Sequence, residues 1–160
     1  MSSDALQALA QGASLGEVAA RLSVALVVGG AVGWERERQD KPAGLRTHML
    51  VALGSATFVL LGFEVGSHLA HQYGDPGFDP TRVLQGVVGG IGFLGAGTIL
   101  KSSAHVSGIT TAASVWITGA LGAAAGLGAY LVAFVATVFA LLTLAVLGRW
   151  ERFGLSRSSD

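Results

Sequence analysis

Between Ser102 and Gly148 the chain runs for 47 consecutive residues without an Asp, Glu, Lys or Arg. One membrane crossing takes about 20 apolar residues, because a helix rises ~1.5 Å per residue and the hydrocarbon core is ~30 Å thick. The stretch is therefore long enough for two crossings. Composition agrees with this. Charged residues make up 12% of the chain, about half the ~25% usual in a soluble domain, and glycine is 24 of 160. Ten basic and ten acidic residues cancel, whereas binding to nucleic acid calls for a basic surplus. With no cysteine there is no disulfide, thiolate metal site or cysteine nucleophile. A secreted or cytosolic globular enzyme is excluded, and the chain reads as an integral membrane protein embedded in the lipid bilayer.

Five segments of sufficient length fit, at about 17–34, 47–68, 81–100, 108–127 and 129–148. They predict an all-α polytopic helix bundle over 17–148, a short outer N-terminus over 1–16 and a short cytoplasmic tail over 149–160. Arg21 interrupts the first segment, but its stem can snorkel to the interface with Glu17 one turn away as partner. Cytoplasmic loops accumulate Lys and Arg. Arg36, Arg38, Lys41 and Arg46 in the first loop, Lys101 in the third, and Arg149, Arg152 and Arg157 in the tail all fall on one side. The other side has Arg21 and Arg82 beside Asp4, Glu17, Asp75 and Asp79. The N-terminus is thus expected outside and the C-terminus in the cytoplasm, as an odd number of spans requires. The first twelve residues lack the basic region of a cleavable signal peptide.

An internal repeat is also expected. Val27-Val28-Gly29-Gly30 recurs as Val87-Val88-Gly89-Gly90, and Gly44-Leu45-Arg46-Thr47 is answered by Gly108-Ile109-Thr110-Thr111, at offsets of 60 and 64. Helices one and two then correspond to helices three and four, in parallel about an axis along the membrane normal. Both cytoplasmic helix starts present unpaired backbone N–H groups and a partial positive charge. Thr47 and Thr111 stand where they could cap them, around a shared polar pocket.

Few residues carry chemistry. Glu35-Arg36-Glu37-Arg38 lies where the first helix ends, a place the helix dipole makes unfavourable for carboxylates. Either Arg38 and Arg46 compensate them in an interfacial salt-bridge lattice, or Glu35 or Glu37 serves a cation or a partner protein; Mg2+ commonly takes one or two carboxylates plus water. Asp79-Pro80 is a strong helix start, Asp as N-cap and Pro at the first position, with Arg82 free to snorkel or pair with Asp75 or Asp79.

Gly86, Gly89, Gly90, Gly92, Gly95 and Gly97 crowd into twelve residues. Part of this run matches G-x-G-x-x-G, but no strand precedes it and no acidic residue follows at the spacing of a dinucleotide site. The glycines serve close helix packing, or an unwound helix exposing carbonyls to an ion path. Glu64, His68 and His71 share a helix face near the outer surface, more in keeping with solvated groups than with a metal site. Only Ser55, Thr57, Ser114, Thr118 and Thr137 are polar near the middle of a span. Proton relays and pumps usually need a buried charge there.

Three motifs resemble one family. Gly33-Trp34-Glu35-Arg36-Glu37 with Ala43-Gly44-Leu45-Arg46-Thr47-His48, the run Gly89-Gly90-Ile91-Gly92-Phe93-Leu94-Gly95-Ala96-Gly97-Thr98-Ile99, and Gly108-Ile109-Thr110-Thr111-Ala112-Ala113-Ser114-Val115-Trp116 are similar to signatures of the MgtC/SapB membrane proteins, in which Leu is more usual than Ile109. The resemblance implies a bacterial inner-membrane protein linked to growth under magnesium limitation and, in pathogens, to survival inside host cells. It implies a cation-transport ATPase or the proton-driven ATP synthase as membrane partner, with Mg2+ as a ligand or substrate. Longer members append a soluble C-terminal domain, which this chain is expected to lack. By resemblance, Glu35, Arg36, Arg46, Thr47, His48, Asp79, Arg82, Thr110 and Thr111 are the polar motif positions. Two functions are expected on these grounds: a non-enzymatic regulator of a partner, or a small Mg2+ channel or transporter lined by the glycine-rich helix. Close-packed glycine faces also point to a homo-oligomer.

Overall fold

A computed structural model describes residues 14–73, 79–101 and 106–147. Asp4, Asp75, Arg149, Arg152 and Arg157, and the side chains of His71 and Lys101, lie outside what it describes. Helix α1 (Leu15–Glu37) begins where Ser14 Oγ accepts the Glu17 N–H at 3.2 Å, and the chain turns away through Asp40 in the left-handed region. Helix α2 spans Leu45–Tyr73. Helix α3 (Pro80–Ala96) starts as its sequence predicts, with Pro80 in the first turn and the Asp79 carboxylate accepting the Thr81 N–H at 2.9 Å. Helix α4 spans Ile109–Gly126, and α5, Tyr130–Leu142, runs into a π-helical turn at Thr143–Leu147.

The third span is shorter than expected. Its helix stops at Ala96 rather than near residue 100, because Leu100–Lys101 (β1) pairs antiparallel with Val106–Ser107 (β2) in a small ribbon. Its 17 residues reach about 25 Å. Helices α1, α2 (through Leu69) and α4 are long and apolar enough to cross a membrane, and Tyr130–Val146 is a shorter apolar helix.

Helices α1, α2 and α4 form the centre. Lipid tails are as apolar as the helices, so association depends on close backbone approach through small residues. Ala25, Ala52, Ala56 and Ala125 are fully buried at that junction. A Cβ at Gly29 would stand 2.7 Å from the Ala52 side chain, and one at Gly126 would stand 2.8 Å from the Ala56 carbonyl oxygen. Gly29 and Gly33 of α1 and Gly122 and Gly126 of α4, each pair at G-x-x-x-G spacing, are thus packed against α2. Helix α5 covers the groove between α1 and α4 through Val28, Val32, Leu121 and Ala133, and α3 lies along α2 and α4 through Val87, Ile91 and Val115. Large apolar side chains such as Phe58, Phe93, Leu131 and Phe134 face outward, as a lipid solvent allows.

The glycine-rich helix departs from the packing expected of it. Among the described residues, no other part of the structure comes within 4 Å of a Cβ built at Gly86, Gly89, Gly90 or Gly92; of this glycine run Gly95 alone rests on a neighbouring helix, against Ala112, and Gly97 meets only the α3 backbone. The segment is regular α-helix through Ala96, so the unwound alternative does not hold. The repeat is not visible in the packing either. Gly29 lies against α2, whereas its counterpart Gly89 faces open space.

Candidate functional site: a polar cluster at the start of α2

The last turn of α1 and the first turns of α2 and α4 meet at one end of the bundle. Glu37 Oε2 accepts the Leu45 N–H at 2.7 Å, so a carboxylate from α1 caps α2. This answers how Glu37 tolerates the end of its own helix: it serves the positive start of the next. The expected cap, Thr47, is exposed and plays no such part. Helix α4 has no side-chain cap; it begins at Gly108, whose φ of 89° suits glycine, and Thr111 is buried beneath it.

His48 is fully buried, as is Arg36 at 2% exposure. The imidazole bridges two helices: Nδ1 is 2.8 Å from the Gly44 carbonyl oxygen and Nε2 is 3.1 Å from Ser114 Oγ. Ser114 Oγ also donates to the Thr111 carbonyl at 2.8 Å. A carbonyl only accepts, so Nδ1 carries a proton. The single Ser114 hydroxyl proton then has two acceptors when the imidazole is neutral, Nε2 and the Thr111 oxygen. The cluster can thus hold a proton in either of two arrangements. Glu35 Oε2 accepts from Arg36 Nε at 2.5 Å, and its other oxygen accepts from Gln39 Nε2.

The structure therefore brings together Glu35, Arg36, Glu37, His48 and Thr111. It does not build the expected salt-bridge lattice: Arg38 and Arg46 are exposed and take no part, because Glu35 is satisfied by Arg36 and Gln39, and Glu37 by the α2 backbone. Thr47 and Thr110 are exposed at the same end. Asp79 and Arg82 lie at the far end of α3. There the Thr81 hydroxyl and N–H hold the Asp79 carboxyl below its ordinary range, helped by the charge of Arg82.

Both acidic residues of the cluster are committed to protein donors, and among the described residues no three His, Asp or Glu side chains gather to hold a metal ion. Glu64 and His68 are exposed. Mid-span hydroxyls do not form a path: Ser55, Thr57, Thr118 and Thr137 each donate to the carbonyl four residues back in their own helix. Ser114, expected as one of that set, bonds to the Thr111 carbonyl of its own helix and also reaches His48. The glycine, threonine and serine of Gly108–Ser114 were the available signal, but the partner lies 66 residues away.

A second inter-helix link closes the opposite end. Arg21 Nη1 donates to the Gly126 carbonyl at 2.9 Å, and Nη2 pairs with Glu17. The expected Glu17 partner is present, and the arginine also caps α4.

These features define a polytopic helical membrane protein with a buried arginine and a buried histidine at one end of its bundle. The chain belongs to the MgtC family, whose model matches residues 22–153. It is 42% identical to Protein SrpB of Synechococcus elongatus, over 94% of this chain and 85% of that protein. It is 43% identical to the "Putative magnesium transporter YhiD" of Escherichia coli (strain K12), over 79% of this chain and 58% of the relative. To Protein MgtC of Brucella abortus it is 44% identical, over 83% of this chain and 52% of the relative. The chain thus spans little more than half the length of the latter two. No solved structure matches it.

Proposed function

We propose that the chain is a non-enzymatic protein of the bacterial inner membrane, N-terminus outside, that regulates a membrane partner through the cytoplasmic end of its bundle. The observation that supports this best is the division of polar groups. At one end, Glu37 caps α2 from α1 and His48 joins Ser114, so that polar contacts link three helices; along the spans, the other hydroxyls return to their own backbones. An ion crossing the bilayer needs ligands along its route, whereas a docking surface needs a rigid base with free groups on it. Arg38, Arg46, Thr47 and Thr110 supply those groups around the cluster. A cation-transport ATPase or the ATP synthase is the partner class that the family resemblance favours. Growth at low Mg2+ of a strain dependent on this protein tests the reading. Glu35→Gln and Arg46→Ala are each expected to impair growth with membrane levels unchanged, and normal growth of both variants refutes the cytoplasmic site.

The name of the Escherichia coli relative favours a second reading, Mg2+ transport. Gly89 and Gly92 face away from the bundle, so a route lined by α3 would form only between copies of the chain. Saturable Mg2+ flux in proteoliposomes, lost in Gly92→Leu, establishes transport; no flux from folded protein removes it.

A further inference from the structure

A groove of about 820 Å³ runs between α2 and α3. Its walls are apolar, floored by Gly54, Gly86 and Gly90, with Phe58 along one side. Arg46 lies at the α2 start and Arg82 at the α3 start, both on the lining. Val83 packs on Gly62, which places the α3 start 16 residues along α2 from Arg46, or about 24 Å. The hydrocarbon core is ~30 Å thick. The groove therefore follows most of the bilayer depth, with a cation near each headgroup level.

Among the described residues, neither arginine forms an ion pair. The two ion pairs among the described residues are Arg21–Glu17 and Arg36–Glu35. The nearby carboxylates are engaged elsewhere, Glu37 by the Leu45 N–H and Asp79 by the Thr81 N–H and hydroxyl. Arg82 still feels the Asp79 charge, which makes Arg46 the stronger anion partner, with the exposed Thr47 hydroxyl beside it.

We propose that this groove is a binding site for an anionic phospholipid, its phosphate on Arg46 and Thr47 and an acyl chain along Gly54, Gly86 and Gly90. A second copy of the chain fits less well. In a membrane, a two-fold pair turns about the normal, so Arg46 would face the Arg46 side of its partner and Arg82 the Arg82 side. Like charges would meet at both ends. A zwitterionic lipid would offset its phosphate with its own cation, while an anionic headgroup leaves it free for Arg46.

The test is native mass spectrometry of the full chain released from nanodiscs containing phosphatidylglycerol and phosphatidylcholine in equal amounts. The wild type is expected to retain phosphatidylglycerol preferentially. Arg46→Gln lowers that preference about fivefold, the order of one basic side chain acting on an anionic lipid. Gly90→Leu, which fills the groove at a position with no neighbour to displace, removes the retained lipid of either class. Arg38→Gln, at the same end but off the groove, leaves the preference unchanged. Equal retention of the two lipids overturns the proposal, as does an Arg38→Gln effect as large as that of Arg46→Gln. Displacement of the lipid by millimolar inorganic phosphate would make this a free-anion site, and efficient cross-linking of Leu94→Cys, on the groove lining, into dimers would assign the groove to a second copy. Either result also overturns it. Circular dichroism confirms helix content, and the charge variant decides the matter should Gly90→Leu fail to fold.

Discussion

His48 of α2 and Ser114 of α4 stand 3.1 Å apart, Nε2 to Oγ, inside a chain whose other mid-span hydroxyls bond only to their own helices. This pair ties the first turn of α2 to α4 at the end where α1 also arrives. Because both side chains are buried, water cannot substitute for either partner.

Removing one member should therefore cost stability in a coupled way. Ser114→Ala is expected to lower unfolding stability by about 1 kcal/mol. His48→Ala should cost more, since it also removes the imidazole bond to the Gly44 carbonyl, leaving only the backbone one, and leaves a cavity. In a double-mutant cycle the pair should show coupling of roughly 0.6 kcal/mol, the typical value between membrane helices. Denaturant titration in mixed micelles measures it, and purely additive losses would show that the bond contributes nothing.

The glycines of α4 and α3 should respond in opposite ways. Gly126→Val places a Cβ 2.8 Å from the Ala56 carbonyl oxygen and 2.9 Å from its Cα. Backbone atoms cannot swing aside, so the α2–α4 seam must open, at about 3 kcal/mol or more. Gly89→Leu meets no neighbour and should leave the monomer's stability within about 0.5 kcal/mol. Melting curves of the two variants check the contrast. It also shows whether Gly92→Leu is a fair flux control, since Gly92 has the same open surroundings.

Arg21 caps α4 from another helix. Arg21→Gln should lose the bond to the Gly126 carbonyl and cost about 1–2 kcal/mol, as expected for a hydrogen bond from a charged donor. The loss should appear locally, as faster amide exchange in the last turn of α4. Uniform acceleration along the whole helix would instead point to a global effect.

Asp79 provides a pH-dependent contribution of known sign. Its folded carboxyl lies below the ordinary value of 3.8 because Thr81 donates to the charged form. The stabilisation is therefore present above that ordinary value and lost as pH falls through the lower, folded one. Asp79→Asn keeps an N-cap side chain but removes the titration. The wild type should fray at the α3 start on acidification below pH ~4, and the variant should not; amide exchange at Thr81 and Arg82 reads both.

Helix number, approximate limits and the membrane environment were legible in the sequence because they depend on local quantities. A run of 47 uncharged residues and the Asp79-Pro80 start each act within a few residues of themselves. The family motifs likewise marked Glu35, Arg36, His48 and Thr111 without assigning them partners. Tertiary structure decided which of these meet. The distance from His48 to Ser114 spans 66 residues of sequence, and that from Arg21 to Gly126 spans 105. Arg36 turned inward while Arg38 and Arg46 stayed outside, and Gly122 and Gly126 packed against α2 while Gly89 and Gly92 remained open. Hydropathy and glycine spacing read alike for the inner and outer faces of a membrane helix, since the lipid is as apolar as the core. Only the packing of one helix on another distinguishes them.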